Sequence, residues 1–304
     1  MHTSRVFFKI SDVVNHPLRN YPRYGKTTVV KNLRYGEGKY RRMDFYFSPE
    51  IADENGKLPV FFNVHGGGFV CGGKRYRSAI ARRYAAKGFF VVNIDYSLAP
   101  KHKFPEGTRD CITALDSLAG FSERFPQMDT DTIIISGDSA GGYYAAHAVS
   151  AIYSDTLVKE LDLPEYTAAK PKALLNFFTP FDPVKCLDNP APMGITEDIG
   201  VCLFGTSSGD SLPYPENFIS VPACVTDEWC PVCIIAGERD MFCGGQEREM
   251  AAALERAGVE YSMYVAREKG DAHCTHLYPF MRGTPKIFAA ADEFLENILK
   301  GRKS

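Results

Sequence analysis

The chain has 304 residues, 45% of them hydrophobic and 24% charged, which suits one large α/β domain (residues 1–304) carrying an insertion and excludes a disordered or fibrous protein. Its 35 Lys and Arg stand against 37 Asp and Glu, a formal net charge of −2, so the basic signature of a nucleic-acid-binding protein is missing. Charge interrupts the apolar residues at positions 1–9, no apolar run reaches transmembrane length, and the nine cysteines are an odd number; a cytoplasmic protein with free thiols and no membrane partner is expected.

The segment up to about Lys26 shows no strand and helix alternation. Alternation begins with an apolar strand at 60–64, followed at once by His65-Gly66-Gly67-Gly68-Phe69. Residues 75–87 read as a helix closed by Gly88, residues 89–94 as a strand, and 108–118 as a helix. The β-branched run at 132–136 reads as a buried strand and the alanine-rich 143–152 as a helix, with Gly137-Asp138-Ser139-Ala140-Gly141 between them. A strand at 173–178 precedes residues 182–228, which are rich in Pro, Gly, Asp and Ser and read as a lid or cap over a ligand site. Next come a strand at 232–236, the turn Gly237-Glu238-Arg239-Asp240, a helix at 246–257 closed by Gly258, a strand at 261–265, and a terminal helix at 285–299. Strands apolar on both faces, alternating with helices, predict a mostly parallel sheet between two helical layers. Cys230 and Cys233 are the one close cysteine pair; without a second Cys or His pair at ligand spacing they read as a strand entry, not a metal site.

Ser139 is the candidate nucleophile. It occupies a strand-turn-helix corner where glycines at 137 and 141 let the backbone close up while the hydroxyl projects, and the following helix aims its first N–H groups at developing negative charge. An ordinary glycine-rich turn would look the same, so the rest of an acyl-transfer apparatus has to be found. After the strand at 60–64, Gly67 and Gly68 offer backbone N–H groups as oxyanion donors, with the N–H of Ala140 as a third. Asp240 follows a strand end, where α/β sheets gather their functional groups, and Glu238 competes with it as the acid. His273 and His276 lie after the next strand and give the chain order Ser, Asp, His; either can be the base. His65, His102 and His147 read as structural or surface histidines.

These motifs together resemble the hormone-sensitive-lipase-like branch of the α/β-hydrolases, which contains many microbial carboxylesterases. His65 to Phe69 is similar to its HGGGF motif, Asp95-Tyr96-Ser97-Leu98-Ala99-Pro100 to its D-Y-R-L-A-P segment with Phe104-Pro105 beyond, Gly137 to Gly141 to its GDSAG elbow, and residues 237–240 to its acid loop. The likeness spans about 58–280. It implies the α/β-hydrolase fold with a mostly parallel eight-stranded sheet, a nucleophile at Ser139, an acid at Asp240, and oxyanion donors at Gly67, Gly68 and Ala140. It also implies a cap built from about residues 1–26 and 183–228. Three departures stand out: Ser97 and Lys101 replace an Arg and a Glu, and His273-Cys274-Thr275 replaces His-Gly-Phe or His-Ala-Phe. The placement of Leu277-Tyr278 favours His273 as base, with His276 as the fallback.

The expected reaction is hydrolysis of a small-molecule carboxylic ester with a short acyl chain, acetyl to butyryl, through an acyl-enzyme and with no metal or cofactor. An amidase or peptidase using the same triad, or a non-catalytic small-molecule receptor on the same scaffold, are the alternatives. Phe204, Tyr214, Phe218 and Trp229 could line an acyl pocket or simply pack locally. A homodimer formed through an edge strand is compatible with the sequence, though no residue argues for it.

Overall fold

A computed structural model describes residues 2–22, 24–187, 194–207 and 209–300. Eight strands form one sheet: β1 (Thr28–Arg34), β2 (Arg42–Phe47), β3 (Leu58–Val64), β4 (Phe90–Ile94), β5 (Met128–Asp138), β6 (Ala173–Phe177), β7 (Val232–Gly237) and β8 (Tyr261–Ala266). Their spatial order is β1-β2-β4-β3-β5-β6-β7-β8. β2 runs antiparallel to both β1 and β4, and every later pair is parallel. This is the mostly parallel eight-stranded α/β-hydrolase arrangement.

The helices are α1 (Thr3–Asn20), α2 (Pro49–Asn55), α3 (Ser78–Ala85), α4 (Glu106–Asp116), α5 (Ala140–Ile152), α6 (Asp155–Glu160), α7 (Ile195–Phe204), α8 (Gln246–Ala257) and α9 (Thr284–Lys300). Alternate residues of each strand feed opposite layers, as the two-residue repeat of a strand requires. Val60, Phe62 and Val64 pack with α4, α5 and α8 on one face; Phe61, Val91 and Ile134 pack with α3 and α9 on the other.

Two outer regions go beyond the sequence reading. β1 and β2 were not legible as strands, because β1 is a half-exposed edge without a continuous apolar run. The N-terminal segment forms an eighteen-residue helix, α1. In the insertion, α7 packs against α1, while residues 188–193 and 208, which the expected cap includes, lie outside the described residues. The helix read at 75–87 is divided into a short turn at Lys74–Arg77 and α3, which ends at Ala85.

Because β3 and β5 to β8 are parallel, their carboxyl ends emerge along one edge of the sheet, and the loops that carry His65, Ser139, Phe178, Asp240 and His273 meet there.

Candidate active site

β5 ends at Asp138 and α5 begins at Ala140, so Ser139 is the single residue between them. It is held at φ 52°, ψ −126°, outside the regions that L-residues ordinarily occupy. The flanking glycines make this possible. A Cβ on Gly141 would lie 2.2 Å from the Val64 carbonyl oxygen, and one on Gly137 would lie 2.4 Å from that of Gly141. Beneath the corner, the buried Asp138 carboxylate receives Nε and Nη2 of Arg77, each at 2.6 Å. Burial disfavours the charged carboxylate, but the Arg77 guanidinium outweighs it and holds Asp138 at about 2.

His273 joins the serine to the acid. Its Nε2 lies 2.8 Å from Ser139 Oγ and its Nδ1 lies 2.7 Å from Asp240 Oδ2. Asp240 is almost fully covered, and it also accepts the N–H groups of Phe242 at 2.9 Å and Cys243 at 3.3 Å and the Cys243 thiol at 3.1 Å. Burial raises its affinity for a proton, yet His273 and these donors overcome that and lower its pKa. The carboxylate therefore only accepts, so Nδ1 carries a proton, and whenever the ring is neutral Nε2 is left to accept from the serine hydroxyl.

Burial also opposes charge on His273, but the sulfur of Cys274 and the Asp240 carboxylate favour it, and its pKa lies well above the ordinary histidine value. Of the two, Asp240 acts at neutral pH. Burial pushes the Cys274 thiol up and keeps it uncharged there.

His276 does not reach Ser139. It is sandwiched against Phe177 and Phe178, with ring centroids at 4.4 and 5.5 Å, and burial lowers its pKa to about 3. Glu238, the competing carboxylate, is exposed and pairs with Arg267 at 3.4 Å. Among the other histidines, His65 stacks on Tyr96 at 4.3 Å, His102 meets Tyr40 edge-on at 6.1 Å, and His147 hydrogen-bonds Thr108 and the Phe218 carbonyl.

The glycine loop follows β3 directly. Among the described residues no acceptor is bonded to the N–H of Gly67 or Gly68, and the N–H of Ala140 belongs to the first turn of α5, which has no intrahelical acceptor. The loop is roofed by α1: a Cβ on Gly68 would meet the Phe8 ring at 2.4 Å. Phe8 in turn faces Phe242 at 6.2 Å, and Phe242 lies edge-on to His273 at 5.1 Å.

Phe8 and Arg77 escape a sequence reading because their partners are far away in the chain, and Phe242 and Cys243 because no motif marks the turn after Asp240. One signal was available: the elbow aspartate Asp138, once buried, needs a cation. Phe204 and Trp229 are buried, and Phe204 and Tyr214 pack on Phe104 at 6.1 and 5.5 Å; these aromatic residues join the core. Asp110 is the carboxylate beside the Ser97 departure. The Ser97 N–H reaches Asp110 at 2.7 Å, and Arg41, from the turn before β2, supplies the guanidinium to the same carboxylate at 2.8 Å.

Backbone strain concentrates here. Besides Ser139, Phe69, Phe178 and Cys274 hold positive φ values of 65°, 50° and 57°. The His-Cys departure thus places a side chain at a left-handed position where the family's glycine would sit freely.

Among the described residues, two groups of three could offer metal ligands: Asp240, Cys243 and His273, and His2, Asp198 and Cys202. In the first, the acid and base are already engaged with each other and with Ser139, and the Cys243 thiol is pushed up by burial. In the second, Asp198 is taken by His2 and by the N–H and hydroxyl of Ser4. The eight described cysteine side chains are free, and Cys233 lies within β7, as a strand entry requires.

A family model described as alpha/beta hydrolase fold matches residues 61–277, more than half of the chain. The chain belongs to the α/β-hydrolase family, in its hormone-sensitive-lipase-like branch. Similar to this hydrolase are carboxylesterase NlhH of Mycobacterium tuberculosis, 32% identical over 136 residues, and tuliposide A-converting enzyme b1 of Tulipa gesneriana, 35% identical over 107 residues. These matches cover 40% and 32% of this chain, and span 41% and 29% of those relatives' own length. Across nearly the whole hydrolase, 98% of this chain and 96% of the other, esterase B of Lactobacillus rhamnosis (HN001) superposes with a TM-score of 0.84 at 17% identity. That esterase is also known in a structure with a C4-C4 tributyrin phosphonate, which superposes with a TM-score of 0.81.

Proposed function

We propose that this hydrolase cleaves carboxylic esters with short acyl chains, acetyl to butyryl, through an acyl-enzyme on Ser139. The observation that carries the reading is the unbroken hydrogen-bonded line Ser139–His273–Asp240. His273 takes the Ser139 proton as Oγ attacks the ester carbonyl, and Asp240 holds the ring and stabilises the imidazolium. The N–H groups of Gly67, Gly68 and Ala140 receive the oxyanion, a contribution of about 3 to 4 kcal/mol for each such donor in related chemistry. The alcohol then departs with the proton that His273 carries. Water, activated by the same imidazole, hydrolyses the acyl-enzyme and restores Ser139. None of these steps calls for a metal or an organic cofactor.

The relatives named carboxylesterase and esterase support the ester class. Phe8 and Phe242, close over the loop and His273, support a short acyl group.

The test is p-nitrophenyl ester hydrolysis over a series from acetate to decanoate. The expected pattern is a maximum at or below butyrate, with loss of all turnover in Ser139→Ala. Substantial turnover by that variant would sink the mechanism, and a maximum at decanoate would sink the short-chain assignment. His273→Ala should abolish activity while His276→Ala retains it in whatever fraction folds. Matched amide substrates separate an amidase, and covalent labelling of Ser139 by a fluorophosphonate separates a non-catalytic receptor.

A further inference from the structure

Helix α1 is amphipathic the wrong way round for a helix packed on a soluble domain. Its inner face, running through Ser4, Phe8, Asp12, Asn15 and Arg19, is largely polar. Ser4 bonds Asp198, Asp12 pairs with Arg19 at 3.1 Å, and Arg19 also bonds the Tyr278 hydroxyl at 2.6 Å. Its outer face repeats Phe7, Ile10, Val14, Leu18 and Tyr21 at intervals of three and four, with Val13 alongside, and these side chains are 38% to 64% exposed. A helix normally turns such a stripe toward the core.

Charge around the stripe is of one sign. The exposed charged residues of α1 are Arg5 and Lys9, and among the described residues neither forms an ion pair within 4 Å. Both line a cleft of about 730 Å³ between α1 and the loops at 39–40 and 70–76, together with Ile10 of the stripe, Lys39 and Arg75. Lys39 and Arg75 lie over the Tyr40 and Tyr76 rings at 5.6 and 4.5 Å rather than against carboxylates. Lys74 and Asp95 in the same cleft neutralise each other at 3.2 Å. The net charge of the chain is −2, so the cationic border is a local arrangement and not a reflection of composition.

We propose that the outer face of α1 and its cationic border form a docking surface for an anionic lipid bilayer. The apolar stripe lies in the headgroup boundary while Arg5, Lys9, Lys39 and Arg75 meet lipid phosphates and carboxylates. An apolar face flanked by basic residues is the arrangement with which helices lie in a membrane surface. Among the described residues no helix is long and apolar enough to cross a membrane, and a surface helix needs no such length. A second copy of this chain could bury the apolar stripe, but its matching face would bring the same cations together, which disfavours it.

The test is co-sedimentation of the full chain with vesicles of phosphatidylcholine alone or with about a third phosphatidylserine. Binding is expected on the mixed vesicles, only weak binding on phosphatidylcholine, and release by salt. The double variant Val14→Glu, Leu18→Glu should abolish binding; Arg5→Glu, Lys9→Glu should weaken it by at least about fivefold per charge. Both leave Phe8 and the polar inner face in place, and circular dichroism confirms the fold of each; should one misfold, the other decides. No binding to either vesicle, equal binding to both, or binding that survives both double variants overturns the proposal. So does a dimer in light scattering that Val14→Glu, Leu18→Glu dissociates in a chain that ignores vesicles. Vesicle binding is read without ester turnover, so its failure is distinct from a failure of the esterase reading.

Discussion

Asp240 and the two neighbouring histidines show how place decides what an identical side chain does. His273 and His276 are three residues apart, yet Asp240 raises the proton affinity of one while burial between phenylalanine rings lowers that of the other to about 3. As a base, His273 must be neutral, so turnover should rise with pH through its raised pKa. Asp240→Asn removes the favourable charge, and the acid limb of the kcat/KM profile should move to lower pH as the overall rate falls; a limb that stays in place would show that Asp240 does not set it. His276 acts on stability instead. Its folded pKa lies below the unfolded value of 6.5, so its contribution is complete above pH 6.5 and is lost as pH falls toward about 3. His276→Gln should therefore flatten the dependence of stability on pH between 6 and 4 by about 1.4 kcal/mol per pH unit, measured by urea unfolding. In sequence only the placement of Leu277-Tyr278 favours His273, since both histidines follow β8; in the structure His273 bonds Ser139 and Asp240 while His276 packs between Phe177 and Phe178.

Strand β5, the corner at Ser139 and helix α5 form the element on which the site is built, and its tolerance is set by backbone contact. Gly141→Ala would push a methyl group onto the Val64 carbonyl at 2.2 Å and should cost about 3 kcal/mol, the upper part of the overpacking range, in thermal or urea unfolding. The turn ahead of α3 supports the same corner through Arg77. Arg77→Met leaves Asp138 buried and unpaired and should cost about 3 to 5 kcal/mol, whereas adding Asp138→Asn should recover a large part of it. If the double variant is no more stable than the single one, the buried charge is not the cause. The glycines were readable in sequence as a close backbone approach. The ion pair was not, since 61 residues separate its partners.

Over the whole molecule, the sheet and its two helical layers form the core, and α1 is tied on separately. Its anchor to α7 is Asp198, which accepts from the Ser4 N–H at 2.8 Å and the Ser4 hydroxyl at 2.6 Å, and Asp198 is lowered in pKa by these bonds against the effect of burial. Asp198→Ala should expose Arg5 and Lys9 to limited trypsin cleavage while leaving the global melting temperature nearly unchanged, since α1 places only Phe8 against the core. A large drop in melting temperature would mean that α1 is part of the cooperative unit. What the sequence by itself determined is local: apolar runs of strand length, glycines where backbones must touch, and the order of Ser139, Asp240 and the histidines. Those features depend on neighbours in the chain or on a repeat, and they are enough for the α/β class and most of the site. Which histidine meets Ser139, what neutralises Asp138, and which way α1 faces were decided by tertiary structure. Each depends on groups tens to hundreds of residues apart, whose desolvation and pairing exist only once the parallel strands bring their carboxyl ends to one edge.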